Sequence, residues 1–301
     1  CSDSEYGAMP DWDVSNVTDM SRAFQFRTTF NVNISAWDTS NVADMFYMFR
    51  NCEDFNQNLN SWDVSNVTDM SGVFNGAYNF NQPLNNWDVS SASVMESMYR
   101  YATSFNQNLN SWDVSSVTDM HGMFSNATLY NSNISSWDMS SVDNVSGMFS
   151  NASSFNQDIG SWDVSSVTVM HDMFEDATAF NQDLNSWNVS NANNMHDMFR
   201  GATSFNGAIG NWDISTATYI YGMFNGATSF NQDIGSWNLS NIANTSLMFH
   251  GATSFNQNLN SWDVSGVTTM FKMFNKATSF NQNLNSWDVS SVTDMTDMFN
   301  E

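Results

Sequence analysis

FNQNLNSWDVSNVTDMSGVFNGA, Phe55 to Ala77, recurs with small changes along the whole 301-residue chain. Trp marks the beat at positions 12, 37, 62, 87, 112, 137, 162, 187, 212, 237, 262 and 287, so the sequence is one 25-residue unit repeated without insertion or deletion. A period of roughly 20 to 50 residues is the mark of a solenoid, in which each unit buries its apolar face only against its neighbours. The chain is therefore read as one elongated body rather than as two globular domains.

Within the unit, Trp62-Asp63-Val64-Ser65 alternates apolar and polar residues. That pattern predicts a short parallel strand with Trp and Val facing in and Asp and Ser facing out. Val67, Met70, Val73, Phe74 and Ala77 then follow at spacings that trace one face of a helix, and Ser65 or Thr68 ahead of Asp69 supplies an N-cap. The expected fold is an α/β solenoid, leucine-rich-repeat-like, of twelve 25-residue coils each with a short parallel strand and a short helix. Stacked at about 4.8 Å per strand, twelve coils span roughly 55 to 60 Å. The alternative is an all-β right-handed solenoid, because Val, Thr and Phe are frequent and the helical stretch is short. Residues 1–11 read as a divergent N-terminal partial repeat, with Glu5 where the loop Phe belongs, and residues 12–301 as the twelve-repeat solenoid.

The inward columns are uniform. Trp fills every central place; Phe fills the place twelve residues later except at Tyr99; nearly all of the 21 Met fall between them. A buried Trp or Phe is worth about 4–6 kcal/mol before entropy. Such a core needs neither metal nor disulfide, and the Met columns read as packing rather than as a copper or heme site. One polar column is equally invariant: Asn follows the return-loop aromatic at 31, 56, 81, 106, 131, 156, 181, 206, 231, 256 and 281. A side-chain amide repeated in this way predicts an asparagine ladder that satisfies backbone groups of its own loop and of the adjacent coil. Cys52 takes a place that most units give to Ala and reads as a small buried thiol.

The Phe55–Ala77 unit resembles the surface-protein repeat of the BspA-like leucine-rich-repeat family, also called the mycoplasma-type lipoprotein repeat. The resemblance rests on W-D-V-S-x-V-T-x-M-x-x-M-F and covers essentially the whole chain, the first eleven residues departing from it. It implies an extracellular or cell-surface protein used in adhesion or in building surface structures, with no catalytic residues to carry over.

Charge narrows the classes of partner. The formal charge is −24, with 7 Lys and Arg against 31 Asp and Glu, which excludes nucleic acid and disfavours anionic membranes. No apolar run approaches the roughly 18 residues of a membrane span. No catalytic constellation, phosphate loop or long insertion is present, so no enzyme activity is expected. No cofactor is expected either, and two readings compete for the acidic column that follows Trp. Calcium could bridge Asp63, Asp88, Asp113, Asp138 and Asp163 on successive rungs. A solvated face of hydrogen-bonded Ser and Asp is the favoured account. His121, His171 and His196 share one position of the unit, but the zinc pair that this suggests lacks a third ligand in sequence.

Variation concentrates ten to fifteen residues after Trp, where all the cations lie: Arg22, Arg27, Arg50, Arg100, Arg200, Lys272 and Lys276. Phe46, Tyr47, Tyr101, Tyr221 and Phe271 break the pattern nearby and are the candidate contacts for a host or matrix protein. Sequons at Asn16, Asn33, Asn66, Asn126, Asn133, Asn144, Asn151, Asn188, Asn238 and Asn244 are candidate glycan sites, Asn188 and Asn238 foremost because they replace the outward Asp. A Thr column six places after Trp would suit an ice or mineral lattice, but Ala43, Asp143, Asn193 and Ala243 interrupt it.

The two ends fall at one phase of the repeat, and the truncated last unit is uncapped, with Met295, Met298 and Phe299 fully core-like. Solenoid ends are usually covered. The expectation is head-to-tail self-association into a surface fibre, the alternative a cell-surface adhesin binding through the helical face. Cys1 is where a bacterial lipoprotein carries its lipid.

Overall fold

The computed structural model describes residues 8–300; the readings at Cys1 and Glu5 lie outside the described residues. The chain forms a stack of twelve near-identical coils. Each coil is a polygon of tight turns whose corners are the apolar columns. In the third coil, Trp62 N donates to Leu59 O (3.0 Å), Val67 N to Val64 O (2.9 Å), Val73 N to Met70 O (3.4 Å), Ala77 N to Phe74 O (3.0 Å) and Phe80 N to Ala77 O (3.0 Å). An apolar residue every three places thus closes a turn and points its side chain inward at once.

The expected helix is absent: among the described residues the single helix is a 3-10 turn, Met9–Asp11, with Pro10 as its second residue. Two positions explain why. The residues ten and fourteen places after Trp have positive φ throughout, for example Tyr47 (55°), Asn51 (56°), Gly72 (57°), Gly76 (73°), Asp172 (57°) and Asp197 (53°). Left-handed residues at third places of turns are what type II geometry requires, and they cannot lie inside a right-handed helix. The turn ribbon so formed sends alternate N–H groups to the next coil: Met70 N to Val94 O (3.1 Å), Gly72 N to Glu96 O (2.8 Å), Phe74 N to Met98 O (2.9 Å) and Gly76 N to Arg100 O (2.7 Å).

The parallel pairing also lies elsewhere than expected. Trp62 to Val64 links two turns, Leu59–Trp62 and Val64–Val67, without pairing as a strand, and the parallel bridges form seven places after Trp, as in Asp44↔Asp69, Asp69↔Val94 and Val94↔Asp119. The series lacks the bridge between Tyr219 and Asn244, beside Thr245, which stands where most coils place Met. The fold is a repeat solenoid built of turns and single bridges, with neither the regular strands nor the helices of the α/β form.

The facing read from sequence does hold, for Trp62 and Val64 are buried while Asp63 is exposed. Three aromatic ladders fill the interior. Trp rings stack at 6.3–6.4 Å between centroids, as in Trp37–Trp62 and Trp212–Trp237. The inner Phe column steps at 5.7 Å from Phe124 to Phe149, and the return-loop column at 5.9 Å from Phe155 to Phe180. Within one coil the two Phe columns meet at 3.8 Å, as Phe149 meets Phe155. Cys52 is buried, donates to Phe24 O (2.9 Å) and has its thiol pKa pushed up to about 12 by burial. No helix among the described residues is long and apolar enough to cross a membrane.

Candidate functional site

One side of every coil is held by side chains. From Trp37 onward each indole Nε1 donates to the carbonyl three places before the preceding Trp, as Trp162 does to Ile134 O (3.1 Å) and Trp187 to Ile159 O (3.0 Å). That carbonyl also accepts its own coil's turn bond, so Trp137 N and Trp162 Nε1 share Ile134 O. Phe would fill the space but could not donate. Beside this ladder runs the asparagine ladder: Asn156 Oδ1 accepts Asn181 N (2.9 Å) and Gln182 Nε2 (2.7 Å), and the pattern repeats from Asn31 to Asn281.

The outward aspartates are each engaged within their own coil. Asp63 Oδ1 accepts the Ser65 amide (3.0 Å) and hydroxyl (2.6 Å), and Asp88 and Asp113 repeat both bonds with Ser90 and Ser115. Asp138 and Asp163 accept the amides of Ser140 and Ser165. The serine hydroxyl, then the serine amide, holds Asp88, Asp138 and Asp163 below the ordinary 3.8. These five carboxylates are not gathered into a cluster; each faces a serine. In the Thr column, hydroxyls such as Thr118 Oγ1 donate to the preceding coil (Ser93 O, 3.3 Å).

The opposite edge, nine to fourteen places after Trp, is the variable one. Here backbone N–H groups do the bonding between coils, and side chains are free to differ. All five contact candidates lie on it, Tyr101 exposed and Phe46, Tyr47, Tyr221 and Phe271 half-buried. Four of them carry cations: Arg22 over Phe46 (5.1 Å), Arg50 over Tyr47 (4.5 Å), Arg100 over Tyr101 (5.3 Å) and Lys272 over Phe271 (5.1 Å). Tyr221 instead stacks on His196 at 4.6 Å. Side chains on this edge also lie over glycines of the next coil: a β-carbon added at Gly72 would collide with the Tyr47 ring, and one at Gly222 with Asp197 Oδ1.

The histidines divide. His121 bonds Glu96 (3.0 Å) and Asp119 (2.9 Å), and chiefly through Asp119 its pKa rises above 6.5 against the effect of burial. His250 is lowered below 6.5 by burial and then by Lys276 and Lys272. His171 and His196 stack at 4.6 Å, nearly parallel, and His171 Nδ1 lies 2.9 Å from Asp172 Oδ2. Asp172 is the candidate third ligand that sequence reasoning missed: donor atoms of His171, Asp172 and His196 lie within 4.8 Å of one another. The signal was the repeated His-Asp pair at 171–172 and 196–197, one period apart. Between His121 and His171 the edge dips into a hollow of about 300 Å³ floored by Gly122, Ser146 and Gly147.

Of the sequon asparagines, Asn16, Asn33, Asn66, Asn133, Asn188 and Asn238 are exposed, whereas Asn126, Asn144, Asn151 and Asn244 are half-buried. Asn66 commits its Nδ2 to Ser40 O (2.7 Å). At Asn188 and Asn238 it is Oδ1 that accepts the Ser190 and Ser240 amides.

Comparison with known sequences places the chain in a family. The pattern described as "Mycoplasma protein of unknown function, DUF285" matches residues 2–112, 60–144, 101–210, 130–233 and 206–301. The protein belongs to this family, as its mycoplasma-type repeat led one to expect. No curated protein matches it. Among solved structures, it is similar to a leucine-rich repeat protein from Bacteroides ovatus ATCC 8483, at 12% identity and TM-score 0.46 over 92% of this chain and 78% of the other. It is also similar to a leucine rich cell surface protein from Faecalibacterium prausnitzii A2-165, at 11% identity and TM-score 0.30 over 79% and 76% of the two chains. A third likeness is to TLR13 in its complex with ssRNA13, at 12% identity and TM-score 0.28 over 84% of this chain and 37% of that one.

Proposed function

We propose that this chain is a non-enzymatic structural repeat protein of the extracellular space or cell surface, forming or lining a fibre by end-to-end stacking. The observation that carries this reading is the directional character of every coil interface. The two faces of a coil differ: on the turn edge the earlier coil donates to the later one, as Met70 N and Gly76 N do, whereas amides such as Ser93 N (to Thr68 O) and the indoles, as Trp162 Nε1 to Ile134 O, donate from the later coil to the earlier. Such an interface is heterologous, and repeated by near-translation it extends rather than closes. The exposed Asn188 and Asn238 are the preferred places for glycans on a secreted form, consistent with their position on the uniform outward face. Negative-stain electron microscopy and sedimentation of the purified chain test the assembly. Fibres one coil-stack wide are expected; monomers at every concentration and ionic strength would overturn it.

The adhesin reading is favoured by a separate observation, the gathering of Arg and Lys on or just beyond a single edge, several of them over aromatic rings there. It supposes that a host or matrix protein binds there. Replacing Tyr47, Tyr101 and Tyr221 by Ser is then expected to abolish capture of that partner while leaving assembly unchanged.

A further inference from the structure

We propose that His171, Asp172 and His196 form a binding site for one Zn²⁺-class divalent cation on the turn edge. The inference stands apart from the fibre and the adhesin readings. Its basis is the donor set and its placement. Two imidazoles and one carboxylate are the mixed nitrogen and oxygen ligands that zinc and its neighbours in the first transition row select, whereas calcium and magnesium prefer oxygen alone. The three donor atoms already lie within 4.8 Å of one another, and His171 Nδ1 and Asp172 Oδ2 are 2.9 Å apart. Ligands of a tetrahedral zinc stand about 3.3 Å apart, given metal–ligand bonds of about 2.0–2.1 Å. Convergence therefore needs only rotation of half-exposed side chains, not backbone movement: His171 is 31% and His196 20% exposed.

The surroundings fit a cation at this place better than elsewhere on the acidic surface. Asp197 Oδ2 lies 3.4 Å from His196 Nδ1, so the second histidine has its own carboxylate to orient the ring, as outer partners do in metal sites. Arg200 engages Glu175 and lies 3.6 Å from Asp197 Oδ1, which takes up those two charges and leaves Asp172 facing His171. The hollow floored by Gly122, Ser146 and Gly147 reaches His171 and Asp172 and gives an ion a path from solvent. Three protein ligands leave a fourth position for water. His121, at the opposite rim of the hollow, is built differently: it is already spanned by Glu96 and Asp119.

The test is a Zn²⁺ titration of the full chain at neutral pH in about 150 mM salt, which screens diffuse attraction to the surface. Histidine ring resonances are followed by NMR, and the visible d–d bands of Co²⁺ serve as a second probe. One equivalent is expected to shift His171 and His196 together while His121 and His250 stay in place, with excess Mg²⁺ unable to compete. His171→Asn, Asp172→Asn and His196→Asn are each expected to weaken binding about tenfold or more with unchanged metal-free melting. Uptake of several equivalents with all four histidines shifting alike would overturn the site. So would Asp172→Asn binding within about twofold of the parent, since the carboxylate is what completes the ligand set.

Discussion

The Trp–Asn side of each coil and the turn edge opposite it are held together by different groups, and the difference explains which one varies. On the turn edge, backbone N–H groups of alternate residues reach the next coil, as Gly72 N reaches Glu96 O. A backbone bond is indifferent to the side chain, so Ser, His, Tyr, Phe, Glu and Thr all occupy the position nine places after Trp. On the Trp–Asn side the backbone is spent on turns within the coil, and the bonds between coils come chiefly from Trp Nε1, Asn Oδ1, Gln Nε2 and Ser Oγ. There the side chain is the bond, and the sequence is uniform for that reason.

The sharpest break of this contrast is substitution of one rung on each side. Trp162→Ala is expected to cost about 3–5 kcal/mol, through lost burial, a cavity between Trp137 and the Phe columns and the lost bond to Ile134 O. Ser146→Ala on the turn edge should stay within about 0.5 kcal/mol. Urea denaturation midpoints measure both; equal losses would mean that the two sides are not divided as described. Next in size comes Asn156→Ala, which strands Asn181 N, leaves Gln182 Nε2 only the Asn156 carbonyl, and should cost about 1–3 kcal/mol, while loss of the outward Asp163 carboxylate in Asp163→Asn should cost much less.

A third substitution should move stability the other way. Tyr99 and Tyr130 stand in the two Phe columns, fully buried, and their hydroxyls have no partner among the described residues. Tyr99→Phe and Tyr130→Phe restore the majority residue and remove an unpaired polar group, each raising stability by about 1–2 kcal/mol. Thermal melting checks this, and a lowered midpoint in both would show that the hydroxyls are satisfied after all.

These contrasts also show what the sequence could tell. Alternation around Trp62 revealed which residues face inward, and invariance of the Asn column revealed its ladder, because both follow from burial and hydrogen-bond supply whatever the backbone does. The helix was misread because a spacing of three serves a chain of turns as well as it serves a helix: Val67, Met70, Val73 and Ala77 fit either. The distinguishing signal was the traffic of Gly, Asn and Asp through positions ten and fourteen, residues that tolerate positive φ. The same misreading concealed the candidate metal ligands. On a helix, neighbours 171 and 172 diverge by about 100°; on the turn ribbon both stay at the surface.

Glycine on the turn edge separates conformational strain from contact. Gly222 (φ 63°) lies under Asp197, and its Ala variant suffers both the left-handed penalty and collision with Asp197 Oδ1. Gly147 (φ 57°) would place a β-carbon 3.9 Å from Ser150, an ordinary contact, and carries the conformational penalty alone. Gly147→Ala is expected to cost about 1 kcal/mol and Gly222→Ala measurably more. Equal costs would show that Asp197 simply swings aside.

The smallest effect is electrostatic and belongs to the turn edge alone. His121 is favoured as imidazolium by Asp119 and Glu96, so its folded pKa lies above 6.5; its contribution to stability is complete below pH 6.5 and is lost as pH rises through that higher folded value. His250 is disfavoured as imidazolium by burial and by Lys276 and Lys272, so its contribution is present above pH 6.5 and is lost as pH falls toward its lower folded value. The two oppose each other, and global stability should change little around pH 6.5 even though both groups titrate nearby. Histidine NMR resolves them where a melting curve does not: the His121 ring is expected to titrate above 6.5 and the His250 ring below it. Glu96→Gln should move the first downward and Lys276→Met the second upward, each leaving the other unmoved because the groups stand on separate coils. Coincident titration of both rings would mean that solvent screens the edge completely, and that its side chains carry shape to a partner but no charge pattern.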